Sequence, residues 1–128
     1  MNLTIALALY GVITLAVIYI DIINTYLTKG FGYGFSSNRP VEQKAGWSLR
    51  VERVTRNQGE SAAYIVPALV LGIFLDLQGS WAASAAYLIV LGRLGFIITY
   101  YAGIPFIRAL FFAASFIGAA ILLVLALS

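Results

Sequence analysis

Apolar residues dominate the chain, and the few charged ones fall in a pattern that predicts four membrane-spanning helices. Residues 3–20 are uncharged, and after Asp21 the apolar character continues to Leu27. Crossing roughly 30 Å of hydrocarbon takes about 20 helical residues, so 3–27 reads as a complete span. A second helix is predicted from Trp47 to about Leu75, with a charged first half and an apolar second half. Pro67 lies in that apolar half and is expected to kink it and free a backbone carbonyl. After a turn at 76–80 comes a third span, 81–101, with Arg93 well inside it. Residues 102–105 lead to a fourth span, 105–127, with Pro105 in its first turn and no charge from Ala109 onward. The expected fold is all-α, a single four-span transmembrane domain covering 1–128.

One substantial loop is predicted, 28–46, containing Lys29, Arg39, Pro40, Glu42 and Lys44. Within it, residues 30–35 alternate glycine with Phe31, Tyr33 and Phe35. A phosphate-binding glycine loop would follow a strand, whereas this segment follows a membrane span, so an aromatic turn at the bilayer interface is expected.

The charges of the second helix lie on a stripe. At about 100° per residue, Arg50, Arg53, Asn57 and Glu60 fall within an arc of about 80°, with Arg56 at its edge. Glu52 lies about 80° from Glu60, outside the stripe, and reads as a surface or pairing charge. A charged stripe on a helix that continues into lipid must face protein or water, because one charge at the bilayer centre costs at least about 2.5 kcal/mol. On the third helix Phe96 lies between Arg93 and Tyr100 on one face. Asp21 and Asn24 share a face of the first helix, where Asp21 is expected to neutralise an arginine of the stripe.

Composition narrows the chemistry. The chain is 62% hydrophobic and 10% charged, with a mean hydropathy of +0.95, and soluble domains carry about 25% charged residues. With no cysteine and no histidine, it has no thiol nucleophile, no thiolate metal site and no imidazole base. Asp21, Glu42, Glu52, Glu60 and Asp76 are the only carboxylate side chains, and no metal site is expected. Met1 and Asn2 are uncharged and no small-residue cleavage site follows the first apolar run, so that span is expected to be retained. All eight Lys and Arg residues fall at one end of the predicted bundle. The positive-inside rule places that end in the cytoplasm and both termini on the opposite side.

In a four-helix bundle the stripe, Arg93, Tyr100 and Arg108 can converge in the cytoplasmic half. Asp21, Glu52 and Glu60 can balance only part of that positive charge. The surplus points to a bound anion with more than one acidic group, gripped by forked guanidinium contacts, with Glu60 available for a cationic group. The blander reading is a basic end that snorkels to anionic headgroups, which accounts poorly for Asn57, Glu60 and Arg93.

The motif Arg50-x-x-Arg53-x-x-Arg56-Asn57-x-x-Glu60 resembles the second-span signature of the MAPEG family, membrane-associated proteins in eicosanoid and glutathione metabolism. Gly92-Arg93 with Tyr100, then Gly103-Ile104-Pro105-x-x-Arg108, resembles that family's third- and fourth-span region, so the likeness covers essentially the whole chain. It implies a homotrimer with glutathione as co-substrate bound between subunits. Arg53, Arg56, Asn57 and Glu60 would hold the tripeptide, Arg93 and Tyr100 would line the site, and Arg108 would be the catalytic residue at the sulfur. Phe96, Ala109 and Phe112 stand where some relatives carry histidine or tyrosine, serine and tyrosine, which argues against prostaglandin synthase chemistry. The implied activity is that of a bacterial-type, inner-membrane glutathione transferase, with glutathione peroxidase activity as a companion. Its lipophilic second substrate would arrive from the membrane lipid, and no nucleic-acid partner is implied. A non-catalytic lipid- or glutathione-binding member, and a small multidrug transporter using Asp21, are the alternatives.

Overall fold

The computed structural model describes residues 1–37 and 44–128; Arg39, Pro40 and Glu42 of the expected loop lie outside them. Four helices follow one another: α1 (Leu3–Phe35), α2 (Gly46–Phe74), α3 (Ser80–Tyr101) and α4 (Ile107–Leu127). By length and composition, α1, α3 and α4 can each cross a membrane, whereas α2 carries the charged stripe in its first half. The chain is an all-α integral membrane protein.

The Asn2 side chain starts α1 by accepting from the Ile5 amide at 2.8 Å, which satisfies one of the free donors of the first turn. Its buried residues, Leu3, Ala6, Tyr10, Ile13 and Val17, recur at intervals of three and four, so one helix face packs on the bundle. The opposite face leaves Val12, Leu15 and Tyr19 exposed, as lipid contact requires. The helix does not stop at Leu27. It continues to Phe35 with a break at Gly30, whose φ of +82° glycine adopts without steric cost. Segment 28–35 therefore contains the expected turn, at Gly30, with a helical stretch on either side of it. Tyr26 packs on Phe31 at 5.1 Å and on Phe35 at 5.5 Å between ring centroids, and these contacts hold the extension together.

Along α2 the buried Val51, Val54, Gln58, Ser61, Ile65, Ala68 and Gly72 form a seam spaced alternately by three and four, with Leu69 buried beside it. Pro67 lies inside α2 on the exposed side, and the helix runs through it without interruption. α4 starts later than expected, at Ile107, because Phe106 at its N-cap has φ +65° and ψ −57°. Pro105 thus precedes the helix instead of occupying its first turn.

Neighbouring helices run in opposite directions, and every pair touches except α1 with α4. α3 is the most enclosed of the membrane-spanning helices. In lipid, apolar residues gain little from burial as such, so helix contacts depend on close packing by small side chains. Ala82, Ala85, Ala86 and Gly92 of α3 are buried, as are Gly118 and Ala119 of α4. A methyl group added at Gly92 would lie 2.7 Å from the Ser115 amide nitrogen and 2.8 Å from the Phe111 carbonyl oxygen, both backbone atoms of α4. That contact sets the spacing of α3 and α4 just below Arg93.

Candidate functional site

Arg93 is fully buried, eight residues from the end of α3 and thus about 12 Å along the helix axis. A cation at that depth must be satisfied by other protein groups. Gln58 of α2 does so: its Oε1 accepts from Arg93 Nη2 at 2.7 Å and from Nε at 3.1 Å. The Gln58 amide then donates through Nε2 to Thr14 Oγ1 of α1 at 2.8 Å, and Thr14 donates to the Tyr10 carbonyl at 2.9 Å. Arginine has only donors, so the direction of every bond in this series is determined. One turn further along α2, Ser61 donates to the Gln58 carbonyl at 2.7 Å and lies 2.6 Å from the Tyr10 hydroxyl. Three helices are thus tied around one guanidinium by neutral groups.

A second series runs from Arg93 towards the basic end. The Arg93 guanidinium lies 4.8 Å from the Phe96 ring centroid, Phe96 lies 5.4 Å from Tyr100, and the Arg108 guanidinium lies 4.4 Å from the Tyr100 ring. Ring faces carry partial negative charge, so they hold both cations without neutralising them. Arg108 occupies the first turn of α4, where the helix amino end adds to the positive field. Phe112 packs on Phe96 at 5.9 Å and holds the ladder from the α4 side.

The stripe divides between two environments. Arg53, Arg56 and Glu60 are exposed on the outward side of α2 and, among the described residues, make no ion pair or hydrogen bond. Asn57 lies at the edge of the stripe, half-buried, with its Oδ1 enclosed and without a partner. Arg50 is tied down instead, donating through Nε to the Tyr101 carbonyl at 3.1 Å, where α3 ends. Glu52 pairs with Lys44 at 3.7 Å, as its position off the stripe suggests.

The expected convergence is therefore only partial within one subunit. Arg93, Tyr100 and Arg108 form one group, while Arg53, Arg56 and Glu60 lie on the far side of α2 from the residue that holds Arg93. Asp21 does not neutralise a stripe arginine; among the described residues it forms no ion pair, and Asn24 beside it donates to Ser48 Oγ of α2 at 3.3 Å. Among the described residues no three carboxylates come together as a metal site. The polar residues that sequence reasoning passed over are Gln58, Thr14, Ser61 and Tyr10. Their signal was present, since Gln58 and Ser61 interrupt an otherwise apolar seam at three-and-four spacing.

Three side chains around this region keep an enclosed polar atom without a partner: Asn57 Oδ1, Tyr64 Oη and Arg93 Nη1. Tyr64 lies within electrostatic range of both Arg93 and Glu60. The outer side of α2 therefore offers exposed guanidinium groups and one carboxylate near the basic end of the bundle, while the unpartnered polar atoms lie enclosed. Such a set suits a zwitterionic ligand with excess negative charge.

Compared with known families, the chain matches the model of the MAPEG family over residues 3–128. No curated protein and no solved structure matches it.

Proposed function

Since the chain belongs to the MAPEG family, we propose that it is a membrane-bound glutathione transferase that activates the glutathione thiol for attack on a lipophilic electrophile or hydroperoxide. The observation that carries this reading is the exposed stripe of Arg53, Arg56 and Glu60 on the outer side of α2, which forms no ion pair among the described residues. An exposed charged stripe on a membrane helix needs a covering surface, and a neighbouring subunit would provide one. The protein is accordingly a homotrimer with one site per subunit boundary, facing the cytoplasm of a bacterium from the inner membrane. Glutathione brings two carboxylates and one ammonium, which Arg53, Arg56, Asn57 and Glu60 answer in kind. Arg93 and Tyr100 form the wall behind it.

Arg108 is the thiol-activating residue. A free thiol has a pKa of about 8.5, so only a few per cent is thiolate at neutral pH. Lowering it by about 2 units takes about 2.7 kcal/mol of preferential thiolate stabilisation. A half-buried guanidinium whose other face lies on the Tyr100 ring, at a helix amino end, can supply that amount. The thiolate then attacks the electrophilic carbon and displaces its leaving group; with a hydroperoxide, it attacks oxygen and releases an alcohol and a sulfenate.

The test is a pH titration of bound-thiolate absorbance in wild type and Arg108→Ala. The variant should still bind glutathione but show a thiol pKa at least 1 unit higher, about 1.4 kcal/mol. Lysine at this position should rescue only partly, because it lacks the planar fork. An unchanged thiolate titration in Arg108→Ala refutes the assignment.

A further inference from the structure

We propose that Gln58 is a positioning residue of this site, a charge-neutral clamp that fixes the Arg93 guanidinium while leaving its positive charge available to an anionic ligand. The inference rests on the glutathione reading above and assigns a role to a residue outside the stripe.

The geometry argues for a clamp. Both of Arg93's protein hydrogen bonds end on one atom, Gln58 Oε1, at 2.7 and 3.1 Å. The amide cannot turn over, because Nε2 is held by Thr14 at 2.8 Å and would otherwise point a donor at a donor. The guanidinium is thereby fixed with Nε and Nη2 engaged and Nη1 free, and Nη1 has no partner although it is enclosed.

The charge argues for the function. The residue is fully buried, yet among the described residues no carboxylate pairs with it. Its contacts are an amide oxygen and the Phe96 ring, both of which satisfy a cation without cancelling it. Were Arg93 a purely structural strut, a glutamate at position 58 would serve as well, with the same length and an oxygen in the same place. A carboxylate there would form a tight forked pair and extinguish the field. Glutamine keeps the field, and Nη1 stays enclosed without a protein acceptor to neutralise it.

The experiment is Gln58→Glu in the full-length protein in detergent, with two readouts: resistance to SDS unfolding and the Kd for glutathione. The expected result is a divergence. The variant should be at least as stable as wild type, because a buried cation has gained a counter-charge. It should nevertheless bind glutathione roughly tenfold or more weakly, the effect of one added negative charge within about 10 Å at an effective dielectric of about 20. A stable variant with wild-type glutathione affinity overturns the clamp and leaves the transferase reading standing. A destabilised variant also overturns it, because Arg93 then has no use for a counter-charge. Wild-type protein that binds no glutathione overturns the transferase reading and this inference together.

Discussion

Cutting the bond between Gln58 and Arg93 has an energetic consequence that can be worked out and measured. In Gln58→Leu the side-chain volume is nearly kept, so the loss is electrostatic rather than a cavity. Two hydrogen bonds to a charged donor disappear, each worth about 1.5–3 kcal/mol, and the guanidinium is left at zero exposure without an acceptor. Breaking a buried charged contact from one side costs about 3–5 kcal/mol, and that is the expected destabilisation. Thr14 loses the donor from Nε2 but keeps its own bond to Tyr10, so it adds at most about 1 kcal/mol. Arg93→Met alone strands Gln58 Oε1, a neutral acceptor, and should cost less, about 1–3 kcal/mol. The double variant Gln58→Leu/Arg93→Met removes both partners and buries two apolar side chains in their place. It should be more stable than Gln58→Leu alone, with a coupling of about 2 kcal/mol or more. SDS titration at fixed protein concentration measures all four corners of the cycle, the fixed concentration removing any contribution from oligomer mass action. Single-variant losses that simply add, to within about 0.5 kcal/mol, would refute the reasoning, since residues that do not interact behave that way.

Glu60→Gln should weaken glutathione binding by roughly tenfold, about 1.4 kcal/mol, whereas Glu52→Gln should change it less than threefold. Glu52 is already satisfied by Lys44 and lies off the stripe, and calorimetry on both variants makes the comparison. Gly92→Ala should cost about 1–3 kcal/mol, because the added methyl group would press on backbone atoms of α4 that cannot rotate away. It should also slow turnover by pushing α4, and Arg108 with it, off the Tyr100 ring; thermal unfolding and a conjugation assay on the same sample check the two effects.

Much of the architecture follows directly from local sequence. Long uncharged runs in 128 residues that are 62% hydrophobic leave helices as the way to satisfy the backbone in lipid, so four helices and their order were legible. The ladder of Arg93, Phe96 and Tyr100 was legible too, because neighbours at three and four residues on one helix meet whatever else the chain does. The helical stretches on either side of the turn at Gly30, reaching to Phe35, were not. Glycine alternating with aromatics carries a turn signal, which Gly30 fulfils, while the packing of Tyr26 against Phe31 and Phe35 holds the residues beyond it as a further short helical stretch. Nor could the sequence reveal that Asp21 forms no ion pair among the described residues, since that depends on where α2 lies across from α1.

What the sequence by itself determined is the set of charges on α2 and their mutual angles; what only the tertiary structure decided is which way the helix is turned. In a water-soluble bundle the apolar face marks the inside. In a bilayer an apolar residue is equally at home against lipid or against another helix, so hydrophobicity does not set the phase. Val51, Val54 and Ile65 on the inward side are no more apolar than Val70, Leu71 and Phe74 on the outward side. Packing of small residues and the bonds of Gln58 and Ser61 to α1 and α3 turn Arg53, Arg56 and Glu60 outward. Those same contacts place an amide, which looked incidental in the sequence, against the arginine buried in the core.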